Sequence, residues 1–467
     1  MLRDEKDQLG PLSIEASALY GIHTLRSTNN FKLNENKTSY SLIKAMITVK
    51  QACAISNQKA KLIDKSIGTA IINACDMILS DFDSYSNSFI THPLQGGAGT
   101  STNMNVNEVI ANVALLSIGA KPGQYDKIHP LNHVNKSQST NDVYPTALKI
   151  AAIYKVRLLA DALAALQEAL QEKENEFSDV LKLGRTQMMD ALPITLGQEF
   201  GAYARAISRD RWRIYKVEER LREVNIGGTA VGTGMNAPLM YIYSVTEELQ
   251  RLTGLGIARS DLLIDSTQNM DVFTEVSGLL KALATNLIKI SGDLRLMASG
   301  PIGGFGEIQL EAHQAGSSIM PGKVNPVIPE MITQIAFRVI GADSTITIAA
   351  SSGQLELNAY TPLIASELLE SLDLLIEGIT LFNSKCIKTV KANRERCEYL
   401  ATRSYSLAAA FIDSLGYDVA SQVADEAYQS NSTIKAIILK KQLLSEETID
   451  SILSIHQLTQ PGIPGKR

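Results

Sequence analysis

Tryptophan occurs once, at Trp212, and aromatic residues make up only 6% of the chain, so any core must rest on Leu, Ile, Val and Ala. The four cysteines, Cys53, Cys75, Cys386 and Cys397, stand far apart and form no Cys-x-x-Cys pair. That spacing argues against a zinc framework or disulfide scaffold and for thiols of a reducing compartment. The six histidines are scattered and no His-Glu-x-x-His occurs, so metal-ligand spacing is missing. Basic residues are not in excess: the net charge is −5, which leaves nothing to neutralise phosphates and disfavours a nucleic-acid binder. No predominantly apolar run reaches membrane-spanning length. The charged start, Met1-Leu2-Arg3-Asp4-Glu5-Lys6, has no apolar stretch behind it, so no signal peptide is expected. The expected location is cytoplasmic.

What is present is helix. With 467 residues, 45% of them apolar, the chain predicts a soluble globular protein of two or three domains or one elongated one. Residues 142–177 contain no internal glycine, and their only proline, Pro145, is expected in the first turn, where it is tolerated. Such a helix would run roughly 50 Å. Ile150, Ile153, Val156, Leu159, Leu163 and Leu166 are joined by alanines, so it is apolar around much of its girth and must be buried on several sides. Similar long helices are expected at 195–224, 271–299, 326–351 and 366–392. Few strand signals accompany them, which predicts a mainly all-α helical bundle, buried further by oligomerisation. Shorter helices are expected at 41–62, 64–79, 417–429, 432–440 and 445–454, with turns and extended pieces over residues 1–40. Three domains follow in chain order: a mixed, mostly helical one at 1–138, the long-helix bundle at 139–395, and a small helical one at 396–467.

Polar segments punctuate this pattern. Gln95-Gly96-Gly97-Ala98-Gly99-Thr100-Ser101-Thr102-Asn103-Met104-Asn105 runs into a helix expected from about residue 107, an arrangement that offers free N–H groups to an anion. Ser139-Thr140-Asn141 precedes the longest helix, and Gly184-Arg185-Thr186-Gln187 is expected where another loop meets a helix. The glycine-rich loop at 225–234 is not a Gly-x-Gly-x-x-Gly after a strand, so it is no dinucleotide fingerprint. Most distinctive is Gly316-Ser317-Ser318-Ile319-Met320-Pro321-Gly322-Lys323-Val324-Asn325-Pro326. Its glycines permit φ > 0 or a close backbone approach, and its prolines exclude a continuous helix. Thr100, Ser101, Ser139, Thr140, Asn141, Thr186, Gln187, Ser317, Ser318, Lys323 and Asn325 together would supply many hydrogen-bond donors and one ammonium. That chemistry suits a small oxygenated anion such as a dicarboxylate. Plain surface loops, or a polar pair capping a helix at Thr186 and Gln187, are the ordinary alternatives. No Ser/His/Asp set can be assembled, so acyl transfer is disfavoured.

Residues 316–326 resemble the signature of the aspartase/fumarase superfamily of lyases. Segments 99–107, 133–146 and 184–199 fall in the same family order, so the resemblance covers essentially the whole chain. His133-Val134-Asn135-Lys136-Ser137-Gln138-Ser139-Thr140-Asn141-Asp142 and Lys323-Val324-Asn325-Pro326-Val327-Ile328-Pro329-Glu330 are closer to the aspartase branch than to the fumarases. The resemblance implies a three-domain fold whose five-helix bundle forms the shared core of a homotetramer, each active site drawing loops from three chains. It implies reversible elimination of ammonia from L-aspartate to give fumarate. Ser317 would be the general base, with Lys323 and loop amides stabilising its alkoxide. Thr100, Ser139, Thr140 and Ser318 would meet the carboxylate that becomes an aci-carboxylate, with Ser101 beside them. Lys323 and Asn325 would hold the other carboxylate, and Asn141, Thr186 and Gln187 would face the amino group. No cofactor is implied, and an activating divalent cation such as Mg²⁺ is not readable from sequence.

Two departures matter. Fumarases carry histidine where this chain has Gln187, and glutamine is no useful acid near neutral pH, which favours ammonia over hydroxide as the leaving group. His129-Pro130-Leu131-Asn132 lacks the Asn-Asp pair that fumarases often place after His-Pro, so a fumarase-like second anion site is not expected. A fumarase and a non-catalytic homologue stay as alternatives. His23, His92 and His313 receive no role, and Asp142 and Glu108 are expected to stabilise helix N-termini.

Overall fold

The computed structural model describes residues 1–466. Its longest element is the helix Thr140–Glu176, 37 residues, and Leu148, Ile150, Ile153, Val156, Leu159, Leu163 and Leu166 along it are all buried. The helix starts at Thr140, two residues earlier than the sequence suggests, which places Pro145 beyond the first turn. A proline there cannot bond the carbonyl four residues back. Asn225 supplies the missing donor: its Nδ2 reaches the Asn141 carbonyl oxygen at 2.9 Å.

The other four long helices are Leu196–Leu221, Asp271–Met297, Val327–Ser351 and Thr361–Phe382. The last starts earlier and ends earlier than expected. Asn358 Oδ1 accepts the N–H of Tyr360 at 2.8 Å, and Pro362 fits the first turn; past Phe382 the chain widens into a π-helical turn, Asn383–Ile387. The fold is mainly α, as predicted.

Two compact units divide the chain. One comprises Met1–Ala160, Trp212–Ala282 and Phe337–Leu375; the other comprises Asp161–Arg211, Leu283–Ala336 and the chain from Ile376 onward. Each long helix therefore gives one stretch to each unit. The second unit includes the expected short helices Tyr417–Ser430, Ile434–Lys440 and Glu446–Ile452, which close over Phe411, Val423, Ile437, Ile438 and Ile449. No helix among the described residues is long and apolar enough to cross a membrane.

Strands are few and paired in twos. Leu2–Asp7 and Gly10–Glu15 form an antiparallel hairpin, after which residues 22–30 are helical rather than extended. Leu181–Thr186 and Met189–Thr195 form a second hairpin, with a bulge between Leu183 and Arg185. This corrects the expectation that residues 184–187 lead from a loop into a helix. The strands are short and polar at the tip, so neither helical nor alternating periodicity reveals them.

Candidate active site

In the first unit the candidate residues gather at two helix N-termini. The helix Thr100–Ser117 starts well before residue 107, because Gly99 adopts φ 93° and so turns the chain directly into it. Only glycine fits there: a Cβ on Gly99 would lie 2.2 Å from the ring of Tyr144. Thr100 is exposed and its hydroxyl donates to Gly97 O at 2.7 Å; Ser101 is half-buried on the same turn. Ser139 caps the longest helix: its Oγ accepts the N–H of Asn141 at 3.2 Å, and its own N–H donates to Asp142 Oδ1 at 3.0 Å. This is a reciprocal cap of the Ser-x-x-acid kind. Thr140 Oγ1 accepts Asn103 Nδ2 at 3.0 Å.

The glycine loop at 225–234, which the sequence excludes only as a nucleotide site, proves to brace this corner. Asp142 Oδ2 accepts the N–H groups of Gly227 at 3.1 Å and Thr229 at 3.0 Å, and Asn141 Nδ2 donates to Ala230 O at 2.7 Å. Asp142 is fully buried; desolvation pushes its carboxyl up to about 7 against the pull of the Ser139, Thr229 and Gly227 N–H groups. Lys50, buried nearby, is pulled down to about 7 by the same loss of water. Asp142 thus serves the start of its own helix, as expected. Glu108 serves a different one. It sits inside Thr100–Ser117, yet its carboxylate accepts the N–H groups of Gly21 at 2.8 Å and His23 at 2.8 Å and the Thr24 hydroxyl at 2.6 Å, at the start of Ile22–Asn30.

In the second unit Thr186 and Gln187 occupy the tip of the 181–195 hairpin, both exposed. Gln187 at φ 55° and Met188 at φ 67° form its two-residue turn, the left-handed pair that strand twist favours in hairpins. Neither is glycine, so the tip holds backbone strain of the kind found at functional sites. The base of the tip is fixed electrostatically. Arg185 Nη1 reaches both oxygens of the wholly buried Glu307, at 2.9 and 3.0 Å, and its guanidinium lies 4.0 Å from the centre of the Phe305 ring. Lys182 Nζ joins them, 3.7 Å from Glu307 Oε2, and also pairs with Glu199 at 2.8 Å. Sequence patterning carries no sign of Glu307.

The 316–326 segment is non-helical, as its prolines require. Gly316 N–H donates to Lys323 O at 2.8 Å and Asn325 Nδ2 donates to Gly316 O at 2.8 Å, closing the loop at its neck. A Cβ on Gly316 would stand 2.6 Å from that Lys323 oxygen. Inside the loop, Ser317 Oγ accepts two backbone N–H groups, from Ile319 at 3.2 Å and Met320 at 3.0 Å. No hydrogen bond joins Lys323 to Ser317 among the described residues; Lys323 lines an open cleft of about 940 Å³ with Arg295, Ser299, Asn325 and Glu330. Ser318 is exposed. Among the described residues no group of three or more His, Cys, Asp or Glu is placed to hold a metal ion.

A family model described as lyase matches residues 10–341, and one for the fumarase C C-terminus matches residues 407–460. The chain belongs to the aspartase/fumarase superfamily of lyases. Aspartate ammonia-lyase of Bacillus subtilis (strain 168) is 46% identical over 464 residues, covering 99% of this chain and 97% of that protein. Among solved structures, the cobalt-bound fumarate lyase:delta crystallin of Brucella melitensis shares 43% identity at a TM-score of 0.96, covering 99% of this chain and 100% of that one. The class II fumarase of Schistosoma mansoni is more distant, at 31% identity and a TM-score of 0.92, over 98% of this chain and 99% of that one. Within the superfamily this lyase falls on the carbon–nitrogen side.

Proposed function

We propose that the enzyme reversibly eliminates ammonia from L-aspartate to give fumarate, with Ser317 as the general base. The observation that carries the mechanism is the cradle at Ser317, whose oxygen faces two backbone N–H groups. A serine hydroxyl is a poor base, and each pKa unit of lowering requires about 1.4 kcal/mol. Backbone donors already aimed at the oxygen supply part of that without reorganisation. The substrate assignment rests on the full-length likeness to the Bacillus subtilis aspartate ammonia-lyase.

Ser317 takes the proton from the carbon beside one carboxylate. The electrons move into that carboxylate as an aci-carboxylate, then form the double bond as ammonia leaves the neighbouring carbon. Thr100, Ser101, Ser139, Thr140 and Ser318 meet the growing charge, each well-aimed donor typically contributing about 3–4 kcal/mol. Lys323 and Asn325 hold the far carboxylate, and Asn141, Thr186 and Gln187 seat the amino group. Ammonia leaves without a general acid, which suits glutamine at position 187. The chemistry needs no cofactor.

The working form in this proposal is a homotetramer with shared sites. Apolar side chains exposed on the long helices, Leu158 at 56%, Phe337 at 58% and Ile348 at 67%, suit burial against other copies. The four buried free thiols suit a cytoplasmic setting. Ammonia release from L-aspartate, measured beside turnover of L-malate, tests the reading. Ammonia release with little malate turnover is expected; the reverse would make the chain a fumarase, and turnover of neither would make it a non-catalytic homologue.

A further inference from the structure

Behind the Thr140 corner lies a buried polar group with no role in the proposed chemistry. Lys50, on the helix Tyr40–Lys59, has no exposed surface. Its Nζ donates to Asn135 Oδ1 at 2.9 Å and to Gln138 Oε1 at 2.8 Å. Both amides are held in that orientation by their other ends. Asn135 Nδ2 donates to Gln138 O at 3.3 Å, and Gln138 Nε2 donates to Val134 O at 2.9 Å and Lys136 O at 3.0 Å. Asn135 therefore presents its oxygen inward. That oxygen also receives Nδ2 of Asn103 at 3.3 Å and Nδ2 of Asn107 at 3.1 Å.

The direction then passes along the chain. Asn103, 1% exposed, must turn its NH₂ toward the Asn135 oxygen, since a reversed amide would set two acceptors against each other. The same nitrogen donates to Thr140 Oγ1 at 3.0 Å. Thr140 Oγ1 thus accepts, and its own hydrogen has to point elsewhere. Among the described residues nothing accepts that hydrogen, and at 8% exposure little bulk water reaches the residue.

We propose that Lys50, Asn135 and Asn103 form a chain of hydrogen bonds, each amide fixed in orientation by the last, that holds the Thr140 hydroxyl as a donor to the substrate carboxylate, with Asn103 as the final positioning residue. This rests on the assignment of Thr140 to that carboxylate in the proposed function. A hydroxyl already turned outward needs no reorientation while charge grows on the aci-carboxylate, which is when a fixed dipole is most effective.

A double-mutant cycle on the full-length enzyme tests it, with L-aspartate as substrate and oligomer size and circular dichroism as fold controls. Asn103→Asp replaces the donor with an acceptor and turns the Thr140 hydrogen inward; kcat is expected to fall about 100-fold. Asn103→Leu neither donates nor accepts, and a loss of about 10-fold is expected. Thr140→Val alone should lose about 100-fold, and adding Asn103→Asp to it should cost less than about twofold more. Additive losses in the double variant, or a larger loss from Asn103→Leu than from Asn103→Asp, would overturn the chain while leaving the Thr140 assignment intact. Full kcat in Thr140→Val would overturn that assignment and the inference with it. Should Asn103→Asp fail to assemble, the same cycle run with Asn103→Leu decides: coupling supports the chain and additivity rejects it.

Discussion

The backbone N–H of Met320 donates to Ser317 Oγ at 3.0 Å, within a loop whose neck is closed by the Gly316 N–H on the Lys323 carbonyl. A short polar loop thereby becomes a preset environment for negative charge on one serine oxygen. Because that oxygen is the proposed base, Ser317→Ala should keep the fold and oligomer while lowering kcat about 1,000-fold or more, within the range of general base catalysis. Steady-state ammonia release alongside size-exclusion chromatography measures both. An unchanged kcat would remove Ser317 as the base.

Gln187 sits on the strained tip of the 181–195 hairpin, where it can place an amino group by hydrogen bonding but offers no proton. If ammonia leaves unaided, Gln187→His should change ammonia release by no more than about threefold in either direction near neutral pH. A gain well beyond that would contradict the account of the leaving group.

Glu307 holds that tip from below through Arg185. Breaking a buried pair by neutralising one partner typically costs about 3–5 kcal/mol, so Glu307→Gln should lower stability by about 3 kcal/mol in denaturant titration. With the hairpin loosened, the KM for L-aspartate should also rise. Unaltered stability would mean that Arg185 finds another partner; unaltered KM would separate the hairpin's anchoring from substrate binding.

Burial pushes Glu108 from its usual 4.5 up to about 7, against the pull of the Thr24 hydroxyl and the Gly21 and His23 N–H groups. The folded state then binds more protons than the unfolded one between these two values. This group's contribution to stability is full below pH 4.5 and is lost as pH rises through about 7. Glu108→Gln removes the titration. The difference in unfolding free energy between about pH 5 and about pH 8, at one protein concentration, should therefore be smaller in the variant. Equal differences in the two proteins would show that Glu108 keeps its charge throughout.

Long helices were legible in the chain because their signal is local. Apolar spacing over 20 or more residues, a lack of internal glycine and the position of proline act within one segment, and four of the five long helices agree with expectation to within about three residues. The polar residues at 100–101, 139–141, 186–187 and 317–325 were legible for a similar reason, since their order along the chain carries the family resemblance. Membership of the lyase superfamily followed from that order alone.

Tertiary structure decided what those residues face. Glu108 caps the helix Ile22–Asn30 through Gly21, 87 residues earlier in the chain, and no local pattern announces that partner. Asn225 covers the carbonyl that Pro145 leaves open, Tyr144 makes Gly99 the only residue that fits, and Glu307 supports a hairpin more than a hundred positions away. Each is a contact between distant segments made in the absence of water, where a buried polar group must find its partner wherever the fold brings one. Sequence determined the helices, the chemistry of the polar segments and the family; the long-range packing of buried donors and acceptors determined which of those groups are turned outward.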